Sequence, residues 1–252
     1  MINKKPMENT LSEHSEKHVS PEFVKSLISG ICHDVGAPVR HIVQFSRMLA
    51  DADSAYTAAE KQTRWLSIIN ESGGRLQDML KALSVFSRLS VSVHDSKKLD
   101  LKLLLERLLD FHQAHTLAKN RQVEINVQGD WPEIEGSEDH WQTLFSCLIE
   151  NALYFQPEDL SHTIRLTICC DYNDSLLDIR FEDNGIGVPE NQFPVLTKPF
   201  KRTNHLDEYP SLGMGLAYCQ YIAELDHALL KFSSSPSGGF IVRYTQQGIR
   251  RT

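Results

Sequence analysis

The chain of 252 residues has no apolar run approaching the ~20 residues needed to span a bilayer. Its first stretch, Met1 to Ser20, is polar and has no signal-peptide core, so the expectation is a cytoplasmic protein without a membrane span. Basic charge is not in excess either: 26 Lys and Arg stand against 33 Asp and Glu, a net charge of -7. That balance gives no general attraction to nucleic acid or anionic lipid, and nucleic acid is excluded as an expected partner. The cysteines are five in number, Cys32, Cys147, Cys169, Cys170 and Cys219, with no paired metal-ligand spacing. They read as reduced thiols, small buried hydrophobes rather than a disulfide framework or metal site. Cys32, next to His33, is alone in suggesting a redox handle. No internal repeat is present.

What is present is an ordinary folded composition, 41% hydrophobic and 23% charged, with length for one large or two modest domains. Residues 1–20 are rich in Glu, Ser, Lys and His without hydrophobic periodicity, and read as a disordered tail. Ser20-Pro21-Glu22 marks a helix start. Beyond it Ile28, Ile31, Val35, Pro38, Ile42, Phe45 and Leu49 recur in alternating steps of three and four, a heptad seam. After the polar stretch Asp51 to Thr57 a second seam runs through Trp65, Ile69, Ser72, Leu76, Met79, Leu83 and Phe86. Two such helices make an antiparallel hairpin over residues 21–95. One hairpin cannot surround its own seam, so pairing in a homodimeric four-helix bundle is expected.

From Leu99 the pattern changes, and residues 99–247 read as a separate α+β domain. Helices are expected at Leu101 to Lys119, Trp141 to Phe155 and Gly213 to Leu225. Strands are expected at Val123 to Val127, Ile164 to Cys170, Leu176 to Glu182, Leu229 to Phe232 and Phe240 to Tyr244. Clustered strands interspersed with helices suggest helices layered on a mixed sheet, with Ser233 to Gly239 as a hairpin turn.

Four motifs carry chemistry. His33 lies two residues beyond Ile31, rotated about 200° from the seam, and so faces outward. Asp34 follows it, and Pro38 sits within the same helix, where proline forfeits a hydrogen bond. A carboxylate beside an imidazole holds one ring nitrogen protonated and leaves the other as nucleophile. Next, Asn151 in Leu148-Ile149-Glu150-Asn151-Ala152 lies one turn from Cys147 on a helix face and offers an amide oxygen to magnesium or phosphate. The third, Glu182-Asp183-Asn184-Gly185-Ile186-Gly187, follows a strand; its glycines permit close approach to a ligand and Asp183 accepts from an amino group. The fourth, Gly213-Met214-Gly215-Leu216-Ala217, opens a helix, where free amides favour phosphate. Each motif alone has a bland alternative: a solvated histidine, a surface amide, a turn, a glycine pair. Their order is the specific signal.

In that order the chain, over about Pro21 to Tyr244, resembles the sensor histidine kinase family, with its phosphoacceptor hairpin and its two-layer Bergerat-type (GHKL) ATP-binding domain. The resemblance implies His33 as phosphoacceptor, Asp34 as its acid/base partner, Asn151 as magnesium ligand and Asp183 as reader of the adenine amino group. Gly185, Gly187, Gly213, Gly215 and Leu216 match the nucleotide-binding segments. Lys198-Pro199-Phe200-Lys201-Arg202 resembles the F box, with Phe200 as apolar anchor and Lys201 or Arg202 as phosphate contact.

The implied activity is ATP- and Mg-dependent autophosphorylation of His33, followed by transfer to an aspartate in the receiver domain of a separate response regulator, since the chain shows no receiver of its own. The short polar start suggests no sensor domain, with input from a partner protein; a piece cut from a longer kinase is the alternative, and the sequence does not decide between them. Departures bear on this. Cys147 stands where relatives usually carry a second Asn, Tyr154 where a Lys or Arg often contacts phosphate, and Ser211-Leu212 where Gly-Thr is usual. Ala37 replaces the Thr or Asn that positions water for dephosphorylation. A histidine phosphotransferase with a degenerate ATP site and an ATP-switched interaction module are the alternatives.

Overall fold

The computed structural model describes residues 21–51, 59–92, 96–117, 121–159, 161–201 and 212–251. The expected tail 1–20, the Ser20 cap, most of the connection after Asp51, Lys119, Arg202 and Ser211 lie outside them.

Helix α1 (Pro21–Ala50) starts at Pro21, whose lack of an N–H costs nothing in a first turn, and continues through Pro38. Helix α2 (Ala59–Val91) packs back along it as a hairpin. The α2 seam is as expected: Ser72 and Met79 are buried, and Trp65, Ile69, Leu76, Leu83 and Phe86 are half-buried. The α1 seam departs at its first position, for Leu27 is 3% exposed and Ile28 55%. Leu27, Gly30 and Ile31 share one helical face, and that face meets Phe200 of the following domain as well as the hairpin.

The second unit is built from β1 (Ser96–Asp100), α3 (Leu101–Leu117), β2 (Val123–Gly129), β3 (Glu133–Ser137), α4 (Glu138–Tyr154), β4 (Ile164–Asn173), β5 (Leu176–Asp183), α5 (Gly215–Leu225), β6 (Ala228–Ser234) and β7 (Phe240–Gln247). Five strands form a mixed sheet in the order β2-β4-β5-β7-β6, with β2 and β4 parallel and the other pairs antiparallel. Strands β1 and β3, absent from the sequence reading, pair antiparallel at its flank with Leu99 opposite Ile134.

Alternation turns Ile164, Leu166, Ile168 and Cys170 of β4, Leu177, Ile179 and Phe181 of β5, and Val242 and Tyr244 of β7 onto one face. There they meet Trp141, Leu144, Phe145 and Leu148 of α4 and Ala217, Cys219 and Ile222 of α5. The opposite face is polar, with Arg243 donating from Nε to Asp178 at 2.8 Å. The result is the expected two-layer sandwich.

The hairpin docks on this unit through α2. The Tyr218 hydroxyl donates to the Ala82 carbonyl at 2.9 Å, Tyr221 bonds Ser90 at 2.8 Å, and the Phe86 and Tyr221 rings lie 4.7 Å apart.

Candidate functional site

Strand β5 delivers Asp183 to the site. In the period-two order 177, 179, 181, 183 it lies on the core-facing side, at the strand end where sheet and helices part. Burial pushes its carboxyl up to about 6, opposed by two backbone donors and reinforced by neighbouring Glu182. The donors are the amides of Gly185 at 2.8 Å and Phe240 at 3.2 Å, both on Oδ1. Neither of these donors bonds Oδ2.

Glycines make room for this arrangement. A Cβ on Gly185 would stand 2.2 Å from the Phe155 carbonyl oxygen. Gly187 has φ +66°, and a Cβ there would meet the Gly238 oxygen at 2.6 Å. Asn184, just before Gly185, is a tether: its Oδ1 accepts from the Arg165 amide at 2.7 Å, and its Nδ2 donates to the Thr163 carbonyl at 3.0 Å. Gly239 was not singled out in the sequence, yet a Cβ on it would lie 2.1 Å from the Asp183 carbonyl oxygen. The β6–β7 turn therefore closes directly over Asp183.

Across from Asp183, α4 presents Cys147, Glu150 and Asn151, and the start of α5 presents Gly215 and Leu216. These residues, with Gly187, Lys201 and Gly213, line a cavity of about 290 Å³. Its remaining wall is largely apolar, from Phe155, Val188, Leu196, Leu212, Met214, Tyr218 and Phe240. Such a wall with a few polar groups suits a flat heterocycle. The Asn151 amide lies 3.8 Å from the position of a Cβ on Gly215, so helix α5 opens directly against α4. The first amides of α5 have no intrahelical partners, and Met214 supplies no side-chain cap, which leaves them available to an anion.

Asp183, Asn151, Gly187, Lys201, Gly213, Gly215 and Leu216 are thus brought together. Gly185 supports Asp183 from behind. Phe200 does not line the cavity; it packs on Gly30 of α1. Glu150 was missed by the sequence reading, and with Asn151 it gives two hard oxygen donors that fit a magnesium ion sharing its shell with phosphates. Among the described residues no cluster of three His, Cys, Asp or Glu forms an all-protein metal cage.

His33 stands on α1, with its side chain 88% exposed, and does not line the cavity. Its Nδ1 lies 2.7 Å from Asp34 Oδ1. A carboxylate accepts, so Nδ1 is the donor in this contact, which leaves Nε2 on the far side of the ring from the pair. Pro38 cannot donate to the Asp34 carbonyl four residues earlier, which frees an acceptor beside the pair.

Residues 136–247 match the histidine kinase-, DNA gyrase B-, and HSP90-like ATPase family. The phosphate regulon sensor protein PhoR of Pseudomonas aeruginosa is 24% identical over 229 residues, 88% of this chain and 49% of that protein. The circadian input-output histidine kinase CikA of Synechocystis sp. is 27% identical over 227 residues, 85% of this chain and 29% of that protein. The chain therefore spans half or less of the length of these relatives. The fold of the Acinetobacter baumannii histidine kinase AdeS superposes with a TM-score of 0.56 at 17% identity, over 85% of this chain and 97% of that structure. Among the described residues no helix is long and apolar enough to cross a membrane. Residues 136–247 thus match the histidine kinase-, DNA gyrase B-, and HSP90-like ATPase family model on the fold described above, and a helical hairpin precedes them.

Proposed function

We propose that the chain is an ATP-dependent protein histidine kinase that phosphorylates His33 and passes the phosphoryl group to an aspartate of a response regulator. The observation that carries the reading is the single cavity joining Asp183, Asn151, Lys201 and the start of α5 in a domain that follows an exposed, carboxylate-paired histidine. Asp183 Oδ2 accepts from the adenine amino group while the apolar wall holds the ring. Lys201 and the free amides of α5 take the phosphates.

Magnesium, when bound at Asn151 and Glu150, supplies charge neutralisation for phosphates that these acidic walls otherwise repel. Nε2 of His33 attacks the γ-phosphorus of ATP, the new N–P bond replaces the bond to the bridging oxygen, and ADP leaves. Asp34 stabilises the positive charge that develops on the ring. Transfer to the receiver aspartate returns His33 to its starting state.

The hairpin functions as half of a homodimeric bundle, which the exposure of Val39, Val43, Met48, Leu66 and Leu80 supports. Input comes from a partner protein. With Ala37 four residues beyond His33, the chain donates phosphate more readily than it promotes removal.

Incubation with γ-labelled ATP and magnesium tests the reading. Acid-labile label on the parent chain, lost in His33→Gln, is the expected result. In Asp183→Asn, nucleotide binding disappears while the dimer remains. A parent chain that binds no nucleotide yet accepts phosphate on His33 from a phosphorylated receiver is a phosphotransferase; one that binds without labelling is an ATP-switched module.

A further inference from the structure

Gly30 stands inside α1, three residues before His33, where glycine weakens a helix relative to alanine. Its missing side chain is used. A Cβ there would lie 2.8 Å from Phe200 Cδ2 and 3.6 Å from the Pro199 carbonyl oxygen. The first distance is well inside carbon–carbon contact, so ring and helix meet because this residue is glycine.

Phe200 is half-buried against the core and held at φ +61°, a conformation that an aromatic residue rarely adopts. Such backbone persists where packing over-determines it, and the ring of Phe200 lies against Gly30 of α1. The contacts then run on to the cavity. Lys201 follows Phe200 and lines it, and the Lys201 carbonyl oxygen lies 2.5 Å from where a Cβ on Gly213 would stand. Gly213, at φ +69°, leads directly into α5.

We propose that Gly30 is a positioning residue: its bare backbone forms a notch on α1 that seats Phe200, holds Lys201 at the cavity rim, and so couples the phosphoacceptor helix to the nucleotide site. The two ends take their names from the kinase reading, on which the functional part rests; the contact itself does not depend on it. By reciprocity, a change in α1 that unseats the ring weakens nucleotide, and bound nucleotide favours the seated ring.

A double-mutant cycle on the full chain tests this, with Gly30→Ala, Phe200→Ala and the pair read by thermal melting and by titration with a non-hydrolysable ATP analogue. Ordinarily Gly→Ala inside a helix raises stability. Here Gly30→Ala lowers the melting temperature by about 2–4 °C and weakens the analogue about threefold or more. In the Phe200→Ala background the same change raises the melting temperature and leaves affinity where Phe200→Ala alone puts it. If Gly30→Ala does not fold, restoration of folding by Phe200→Ala supports the notch, and failure to restore it counts against. A Gly30→Ala that stabilises the parent chain overturns the proposal, as does an affinity loss of equal size with and without the ring. A parent chain that binds no analogue overturns the coupling together with the nucleotide reading, while the melting cycle, which needs no nucleotide, still decides whether the ring is seated.

Discussion

The Tyr218 hydroxyl donates to the backbone carbonyl of Ala82 across 2.9 Å, and the same residue lines the candidate nucleotide cavity. One residue of α5 thereby touches both the hairpin and the site. Tyr218→Phe keeps the ring and removes only the donor. A buried hydrogen bond contributes about 0.5–1.5 kcal/mol net, so the variant melts about 1–6 °C lower. An unchanged melting temperature would show that this bond adds nothing to the docking of hairpin on sandwich.

How far these features were legible in the sequence depends on where their cause lies. The α2 seam and the alternation of β4, β5 and β7 are local, and each was readable from spacing. Strand β1 was not, since only Leu99 among its five residues is buried and no alternation shows. The β4–β5 turn was hidden too: Asp174 and Ser175 take φ of 48° and 67° without a glycine to announce it. In the site, Asp183 was legible as a carboxylate in a glycine loop. The Phe240 amide and Gly239 were not, because they act through backbone that the fold brings across from another strand. The Gly30–Phe200 contact joins residues far apart in sequence, and nothing local to either names its partner.

His140 is a further residue the sequence did not disclose. It is 1% exposed; Nδ1 lies 3.2 Å from Asp226 Oδ1, and Nε2 lies 3.1 Å from the Leu89 carbonyl oxygen. Both ring nitrogens are thus engaged, each within hydrogen-bond distance of an oxygen. Leu89 falls in the last turn of α2, where carbonyls lack intrahelical donors, and His140 therefore caps the hairpin from within the sandwich. Removing a buried, hydrogen-bonded side chain leaves its partners unsatisfied and is expected to destabilise by about 1–3 kcal/mol. His140→Leu should show that loss in urea unfolding, and His140→Gln, which retains one donor, should lose less. Equal losses in the two variants would remove the capping bond as the cause.

The Asp183 carboxyl gives nucleotide binding a pH dependence of definite sign. Burial raises it from its ordinary value of 3.8 to about 6. The neutral acid is favoured by the fold, so its contribution to stability is complete below about pH 4 and is lost as pH rises through about 6. Recognition of an amino group runs the other way, because the carboxylate is the better acceptor. Adenosine, which has no phosphate to titrate, should bind more weakly at pH 5 than at pH 7.5. A pH-independent affinity would place the adenine elsewhere in the cavity.

The site glycines separate into those the fold requires and those the ligand requires. At Gly185 an added Cβ would sit 2.2 Å from the Phe155 carbonyl oxygen and 3.0 Å from Asp183 Oδ1. The first is backbone that cannot step aside without releasing the Ile186 amide, which bonds the same oxygen at 3.0 Å. Gly185→Ala should therefore destabilise the folded chain by about 1–3 kcal/mol, as overpacking does. At Gly215 the nearest atoms to a Cβ are Cys147 Cβ at 3.7 Å and the Asn151 amide at 3.8 Å, ordinary van der Waals distances. Gly215→Ala should fold with an unchanged or slightly higher melting temperature, since alanine favours the first turn of α5. Its methyl group nonetheless occupies the wall between α4 and the helix start, where the phosphates and their magnesium are expected. Nucleotide affinity should fall about tenfold, roughly 1.4 kcal/mol, with the fold intact. Melting curves and analogue titrations on the two variants check this. A Gly215→Ala chain that binds nucleotide as tightly as its parent would move the phosphates away from the start of α5.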